Sequence, residues 1–138
     1  MLKFKDELNT KLNIHTTKSF LDGKQICICK ICVNPEKNTW NISTWNTNNT
    51  QQKKGYGHQT LQHALQTIYD KIGPPKEIRY IWDGVHPYIM NWLKKHFKPI
   101  KSLSLTNQND ILSEWDAHTY ILNTEKTLKY FKIKKGKK

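Results

Sequence analysis

The amino-acid sequence predicts a single α/β domain built on a mixed sheet. Two strand-like segments, at 25–33 and 39–47, flank a short turn and should pair as a hairpin. Apolar residues then recur at helical spacing up to residue 72, and another strand-like segment follows at 77–82. Because a strand, a helix and a strand in this order form a crossover, the segment at 77–82 should lie parallel beside the one at 39–47.

The chain has 138 residues, which is enough for one domain (1–138) with a substantial core. Apolar residues make up 36% and aromatic residues 11%, so large rings should supply much of the buried area. No apolar run reaches the roughly 18 residues of a membrane span, and the first residues are too charged for a secretory signal. We therefore expect a soluble, cytoplasmic protein without a membrane partner.

The segment before the hairpin, from Phe4 to Leu21, has the least distinct pattern of the chain. Its apolar residues Phe4, Leu8 and Leu12 lie four residues apart. This spacing favours one or two short helices.

The first strand of the hairpin is apolar on both faces and should be central in the sheet. Alternation along a strand would place Cys27 and Cys29 on one face and Cys32 on the other. A structural zinc site needs four ligands, and no fourth candidate stands at a suitable spacing. An odd number of cysteines also argues against disulfides. We expect three small buried side chains and no metal.

Turn signals divide the middle of the chain. Asn34–Asn38 should form the turn of the hairpin, because proline fixes φ and asparagine tolerates the left-handed region. The helix should end at the sequence Gly73-Pro74-Pro75. A second helix is expected to open between Asp83 and Pro87, since proline suits a first helical turn.

The last part of the chain offers two further strand candidates, at 98–105 and 118–122, and a short helix capped by Asn123. Residues from about 132 to 138 form a basic tail that we expect to be disordered. The formal charge is +12, from 23 basic and 11 acidic residues. It favours anionic partners, although lysine as a general solubilising residue explains it equally well.

The turn before the long helix has the composition of a phosphate-binding loop. It reads Gln52-Lys53-Lys54-Gly55-Tyr56-Gly57. The N–H groups of a first helical turn have no internal acceptors, and the helix dipole favours an anion there. Glycines let the backbone approach a ligand closely, and lysines add positive charge. We infer a phosphate-binding turn, and a tight turn without a ligand is the alternative.

Other phosphate loops fit this turn less well. A dinucleotide-binding fingerprint would need a third glycine at the position where Thr60 stands. A P-loop would need Gly-Lys-Ser/Thr after four residues.

With its elements in this order, the chain from about Gln25 to Leu122 resembles the GCN5-related N-acetyltransferase (GNAT) family. In that family a strand ends in a Gln/Arg-x-x-Gly-x-Gly/Ala turn, and Gln52, Gly55 and Gly57 match its three defined positions. Residues 91–100 are similar to a second signature, a helix that ends in Tyr-Glu-Lys-Leu-Gly-Phe. The resemblance implies a GNAT-like fold, with a mixed, mostly antiparallel, twisted sheet flanked by helices.

The resemblance also implies that acetyl-CoA (CoA) is the cofactor. Its pyrophosphate would lie on the turn, and the strand before the turn would pair with the pantetheine arm. The implied cofactor-binding residues are Trp45, Asn46, Thr47, Gln52, Lys53, Lys54, Gly55, Tyr56, Gly57, His58 and Gln59.

The catalytic residues match the family less closely. Acetyl transfer to an amine needs a base for the ammonium and an acid for the departing thiolate. Many family members have a tyrosine where this chain has Trp92, so Tyr88, one helical turn earlier, is the candidate acid or an ordinary core aromatic. The strand before the turn carries no carboxylate, which leaves Asp83 as the candidate base, with His86, Asp116 or a water as alternatives.

The resemblance therefore implies an acetyl-CoA-dependent N-acetyltransferase acting on a primary amine, and a homodimer is among its expected states. The acceptor would be a small molecule, a protein or an aminoacyl-tRNA. The alternative is a GNAT-fold basic module of weak catalytic power that binds nucleic acid or an acidic protein. Nucleic-acid binding that weakens steeply with salt would favour the module, and thiol release from acetyl-CoA would favour the enzyme.

Overall fold

A computed structural model describes residues 2–47, 55–82, 101–104 and 118–134 of the chain. These ranges contain seven strands and two helices. The elements are β1 (Lys3–Asn9), β2 (Ile14–Leu21), β3 (Lys24–Asn34), β4 (Thr39–Thr47), α1 (Tyr56–Ile72), β5 (Glu77–Trp82), β6 (Lys101–Ser104), β7 (His118–Leu122) and α2 (Thr124–Tyr130). The predicted helix after Asp83 lies outside the described residues.

The described strands form one sheet in the order β1-β2-β3-β4-β5-β7-β6. Neighbouring strands are antiparallel except for β4 and β5, which are parallel. The α/β fold class, the hairpin of β3 and β4, and the parallel placement of β5 are therefore confirmed. Of the strand predicted at 98–105, residues 101–104 are confirmed as β6, and the remainder lies outside the described residues.

The N-terminal segment forms strands β1 and β2, so the prediction of short helices there was wrong. Phe4 and Leu8 are four residues apart, and an even spacing also returns side chains to the same face of a strand. Asparagines make the turn between the strands. Asn9 Oδ1 accepts hydrogen bonds from two backbone N–H groups at 3.1 and 3.2 Å, and Asn13 has a φ of 52°.

Helix α1 packs its apolar stripe against the sheet, mainly on β2 and β3. The buried residues of α1 are Thr60, Leu61, Ala64, Leu65 and Ile68. The predicted stripe is confirmed except at Ile72, which is 50% exposed because the last turn projects beyond the sheet contacts. No helix in the described ranges has the length and apolar character that crossing a bilayer requires.

The predicted helix boundaries at Gly73 and Asn123 are both confirmed. Gly73 has a φ of 84°, and its N–H bonds to the carbonyl oxygen of Tyr69 at 2.8 Å. Asn123 Oδ1 accepts the backbone N–H of Lys126 at 2.9 Å, which satisfies one of the free donors at the start of α2.

A buried pair of hydroxyls positions the first turns of α1 over β2. Thr60 Oγ1 lies 2.8 Å from Ser19 Oγ, and the Thr60 hydroxyl also donates to the carbonyl oxygen of Tyr56 at 2.7 Å. Both side chains are fully buried. Because a hydroxyl has one proton, Ser19 acts as the donor to Thr60. The bond fixes the start of α1 relative to the sheet.

The three cysteines of β3 are free thiols that lie on the faces predicted for them. Cys27 and Cys29 are buried on the face that α1 covers, and burial raises the pKa of Cys29 well above its usual value. Cys32 lies on the opposite face of the strand and is only partly buried. The prediction of three buried cysteines was therefore wrong for Cys32, which α1 does not cover.

The segment after α2 packs along α1. Phe131 and Ile133 are buried, at 0% and 8% exposure. Gln66 on α1 bonds both ways to the backbone of Lys134, donating to its carbonyl oxygen at 2.8 Å and accepting from its N–H at 3.3 Å. The basic tail expected from about residue 132 is thus bound to α1 as far as Lys134, and residues 135–138 lie outside the described ranges.

Candidate functional site

Strands β4 and β5 separate before they end. Their parallel register runs from Thr39 opposite Glu77 to Ile42 opposite Tyr80. Strand β4 then continues to Thr47, with no register partner on β5 for its last residues in the described part of the sheet. Residues 43–47 therefore extend beyond the register with β5, beside the point where the two strands separate.

An irregularity in β4 accompanies this separation. On the side of β3, Thr44 lies opposite Lys30, whereas Ile42 lies opposite Ile31. Ser43 is therefore an extra residue in β4, which is a β-bulge. Bulges bend and twist a strand locally, and this one occurs where the pairing with β5 stops.

The first backbone N–H groups of α1 have no acceptor within the helix. Gly55 precedes the helix with a φ of 81°, a left-handed conformation that glycine adopts at little cost. Among the described residues no side chain caps this end, and the first turn contains no acidic residue. The first intrahelical bond runs from Gln59 N–H to Gly55 O at 3.0 Å, so the N–H groups of 56–58 have no acceptor within the helix. This turn favours an anion electrostatically.

Trp45 joins the end of β4 to the start of α1. Its indole Nε1 donates to the carbonyl oxygen of Gly57 at 3.0 Å. Its ring also meets the Tyr80 ring edge-on, with centroids 6.5 Å apart. One side chain thus fixes the helix start against both strands, so that the first N–H groups of α1 lie at the end of the β4 segment that extends beyond β5.

The His58 side chain packs against the C-terminal segment. Its ring centroid lies 5.3 Å from that of Tyr130 and 4.8 Å from that of Phe131. Burial, and secondly the charge of Lys132, lower the pKa of His58 from its usual value. His58 is therefore a largely neutral, packed ring at neutral pH, which supports the first turn of α1 from behind.

The lowered pKa of His58 predicts a loss of stability on acidification. The unfolded chain, with an ordinary histidine pKa near 6.5, binds this proton more readily than the folded protein does. The contribution of neutral His58 to stability is fully present above pH 6.5, and it is lost as the pH falls through the lower pKa of the folded protein. We expect His58→Gln to lose less free energy of unfolding than the unsubstituted protein between about pH 7.5 and pH 5 in urea denaturation. Equal losses in the two proteins would contradict this role.

Comparison with known proteins finds structural likeness without sequence likeness. No family model matches the chain, and no curated protein matches it. Among solved structures, IAA acetyltransferase from Bacillus cereus ATCC 14579 superposes with a TM-score of 0.64 at 13% identity, over 88% of this chain and 97% of that one.

Two more structures show the same likeness. A GNAT family acetyltransferase from Elizabethkingia anophelis with acetyl-CoA bound gives a TM-score of 0.61 at 9% identity, over 88% and 95% of the two chains. The ribosomal-protein-S18-alanine N-acetyltransferase from Escherichia coli gives 0.59 at 11% identity, over 88% and 92%. The chain has the GNAT fold. At these identities the likeness establishes the fold and leaves the activity to the site itself.

Within this GNAT fold, the predicted cofactor residues fall into two sets. Trp45 and residues 55–59 come together at the start of α1, Asn46 is exposed on β4, and Thr47 ends that strand. The remaining predicted site residues, Gln52, Lys53, Lys54, Asp83 and Tyr88, lie outside the described residues. Contacts between any of these residues and a cofactor stay predictions.

The structure also contains a polar cluster that sequence reasoning missed. Asp6 on β1 accepts a hydrogen bond from the Thr17 hydroxyl at 2.6 Å and lies 2.8 Å from His63 Nε2 on α1. The His63 ring stacks on Phe4, with centroids 4.2 Å apart. No pattern in the sequence signals this cluster, because its members are brought together only by the pairing of β1 with β2. It fastens the edge strand of the sheet to α1.

Proposed function

We propose that this protein is an acetyl-CoA-dependent N-acetyltransferase that transfers an acetyl group to a primary amine. One observation carries the proposal. The start of α1, with left-handed Gly55 before it, lies at the end of the β4 segment that continues beyond its register with β5. N–H groups without an acceptor in the helix suit a diphosphate, and a strand that extends past its neighbour suits an extended amide-bearing arm.

The residues present fit acetyl-CoA. The N–H groups of 56–58 would hold the diphosphate, since no acidic side chain occupies that first turn. The backbone of 43–47 would bond the amides of the pantetheine arm. Through its bond to Gly57, Trp45 would hold the segment 43–47 in line with the first turn of α1. Charged hydrogen bonds of this kind contribute about 1.5–3 kcal/mol each.

When bound, acetyl-CoA supplies the thioester carbonyl that an amine attacks. Before that attack the chain must remove a proton from the ammonium of the acceptor, and as the thioester breaks it must supply a proton to the departing thiolate. We propose Asp83 and Tyr88 for these roles, because they follow β5, which separates from β4 before it ends. The acceptor is an amine of unassigned class, since the structural neighbours are named for acceptors as different as spermidine and a ribosomal protein.

Calorimetry followed by a thiol-release assay tests the proposal. We expect acetyl-CoA to bind. The truncated analogue S-acetyl-N-acetylcysteamine keeps the thioester but has no diphosphate, and we expect it to bind far more weakly. Thiol release with a panel of polyamines, aminoglycosides and peptides should then identify an acceptor. Failure of acetyl-CoA to bind the folded protein would overturn the proposal. Binding of acetyl-CoA without thiol release in the presence of any of these amines would favour the basic module of weak catalytic power.

A further inference from the structure

Strand β1 is a long and open edge of the described sheet. It lies first in the strand order and pairs only with β2, with no register shift along its seven residues. Every residue from Lys5 to Asn9 is exposed. Proteins usually protect such edges with proline, bulges, short strands or charged side chains. β1 has no proline and no bulge, and its charges are of both signs, so that charges of a second copy can pair with them.

The two faces of β1 are identified by their contacts. Phe4 and Asp6 contact His63 of α1, so these side chains and Leu8 lie on the α1 face. Lys5 and Glu7 lie on the other face, where Lys5 Nζ is 3.7 Å from Glu7 Oε1.

The sequence of β1 is complementary to itself about Asp6. When two copies run antiparallel with Asp6 opposite Asp6, Lys5 lies opposite Glu7 twice, on the face away from α1. Phe4 lies opposite Leu8 twice, on the α1 face. Opposite charges and aromatic–aliphatic pairs directly across an antiparallel ladder are stabilising. We propose that β1 pairs with β1 of a second copy in this register and forms a homodimer with one continuous sheet.

Neighbouring registers are less favourable. A shift by two residues in one direction places Lys5 opposite Lys5 and Phe4 opposite Asp6, although Lys3 then lies opposite Glu7. A shift in the other direction places Glu7 opposite Glu7 and Leu8 opposite Asp6. Both shifts therefore lose the two Phe4–Leu8 pairs. In the proposed register Asp6 lies opposite Asp6 at the twofold axis, which is also a like-charge contact. The two oxygens of each carboxylate are bonded to Thr17 and His63 of their own chain, and these bonds are kept in the dimer.

The surroundings of β1 leave room for this contact. Helix α1 packs mainly on β2 and β3, so it lies back from the edge of the sheet. Leu8 is 45% exposed and is one of few large apolar side chains left open in the described residues. In the dimer it would be covered by Phe4 of the second copy, which explains an apolar residue at an open edge.

Charge reversal tests the register. We expect sedimentation or light scattering to show a dimer whose population rises with protein concentration. Lys5→Glu or Glu7→Lys places like charges opposite each other at two symmetric positions, so each should raise the dissociation constant by about tenfold or more. The double variant Lys5→Glu, Glu7→Lys restores opposite charges and should dimerise again. Lys30→Glu, on the exposed surface of β3, is the matched control and should leave the dimer unchanged.

A measurement on the unsubstituted protein keeps the test independent of folding. Carbodiimide joins an amine to a carboxylate in direct contact, so a mixture of isotopically light and heavy chains should give light–heavy cross-links between Lys5 and Glu7. A monomer at every concentration, cross-links only within one chain, or single variants that dimerise normally would each overturn the proposal. Loss of the dimer in the single variants without recovery in the double variant would overturn the register.

Discussion

Gly57→Glu is expected to abolish measurable acetyl-CoA binding while leaving the protein folded. A carboxylate in the first turn of α1 would lie beside the proposed diphosphate. Two unit charges about 4 Å apart near a protein surface repel by about 4 kcal/mol, which corresponds to roughly a thousandfold in affinity. Calorimetry with acetyl-CoA measures the loss.

The same substitution should stabilise the protein in the absence of cofactor. Glycine within a helix costs about 0.5–1 kcal/mol relative to alanine, and an acidic side chain near a helix N-terminus is favourable. The temperature of unfolding should therefore rise slightly as binding disappears. Ile72→Glu is the control, because it adds the same charge to an exposed position at the other end of α1. Binding that survives in Gly57→Glu, or is lost equally in Ile72→Glu, would contradict the proposed anion site.

Phe131→Ala is expected to lower the free energy of unfolding by about 3–5 kcal/mol. Phe131 is fully buried, and its ring packs against His58 and Tyr130. Truncation would leave a cavity between α1 and the C-terminal segment. Urea denaturation of the variant measures the loss.

A substitution two residues away serves as the control, because it changes a neighbouring position that does not pack in the core. Lys129 is exposed on α2, so Lys129→Ala should change the free energy of unfolding by no more than about 0.5 kcal/mol. If Phe131→Ala costs as little as Lys129→Ala, the C-terminal segment does not pack on α1 as the structure indicates.

The central elements were predictable because their signals are local. The turn at Asn34–Asn38 is formed by Asn34, whose side chain accepts from two backbone N–H groups, and by Asn38, which has a φ of 52°. Gly73 and Asn123 end and begin helices for reasons that are visible in the residue type alone. The parallel placement of β5 followed from the order of elements and the length of α1.

Strands β1 and β2 were not predicted because the periodicity of their sequence is ambiguous. A spacing of four fits one face of a helix and one face of a strand equally well, and Phe4 and Leu8 provide little else. The pair Asp22-Gly23 was the available signal. Both residues have positive φ, 52° and 80°, and they form the tight turn between β2 and β3. Such a turn favours a hairpin, which would have made β2 a strand.

The candidate site was predicted only in part. Gly55 and Gly57 marked the turn, and the structure confirms the left-handed residue at Gly55, whereas close approach of a ligand at Gly57 stays a prediction. The bulge at Ser43 and the bond from Trp45 to Gly57 were not predictable, since both depend on how β4 lies against its neighbours. The packing of Phe131 behind His58 likewise joins residues that are far apart in sequence.

Amide NMR spectra recorded during a titration with CoA test the central claim most directly. The N–H groups that receive the diphosphate should shift most, so the largest changes are expected at Tyr56, Gly57 and His58. Smaller changes should follow along residues 43–47 of β4, where the pantetheine arm would pair. Saturable shifts centred on these two segments are the predicted result. Binding with the largest shifts elsewhere, or with the N–H signals of α1's first turn unchanged, would contradict the account.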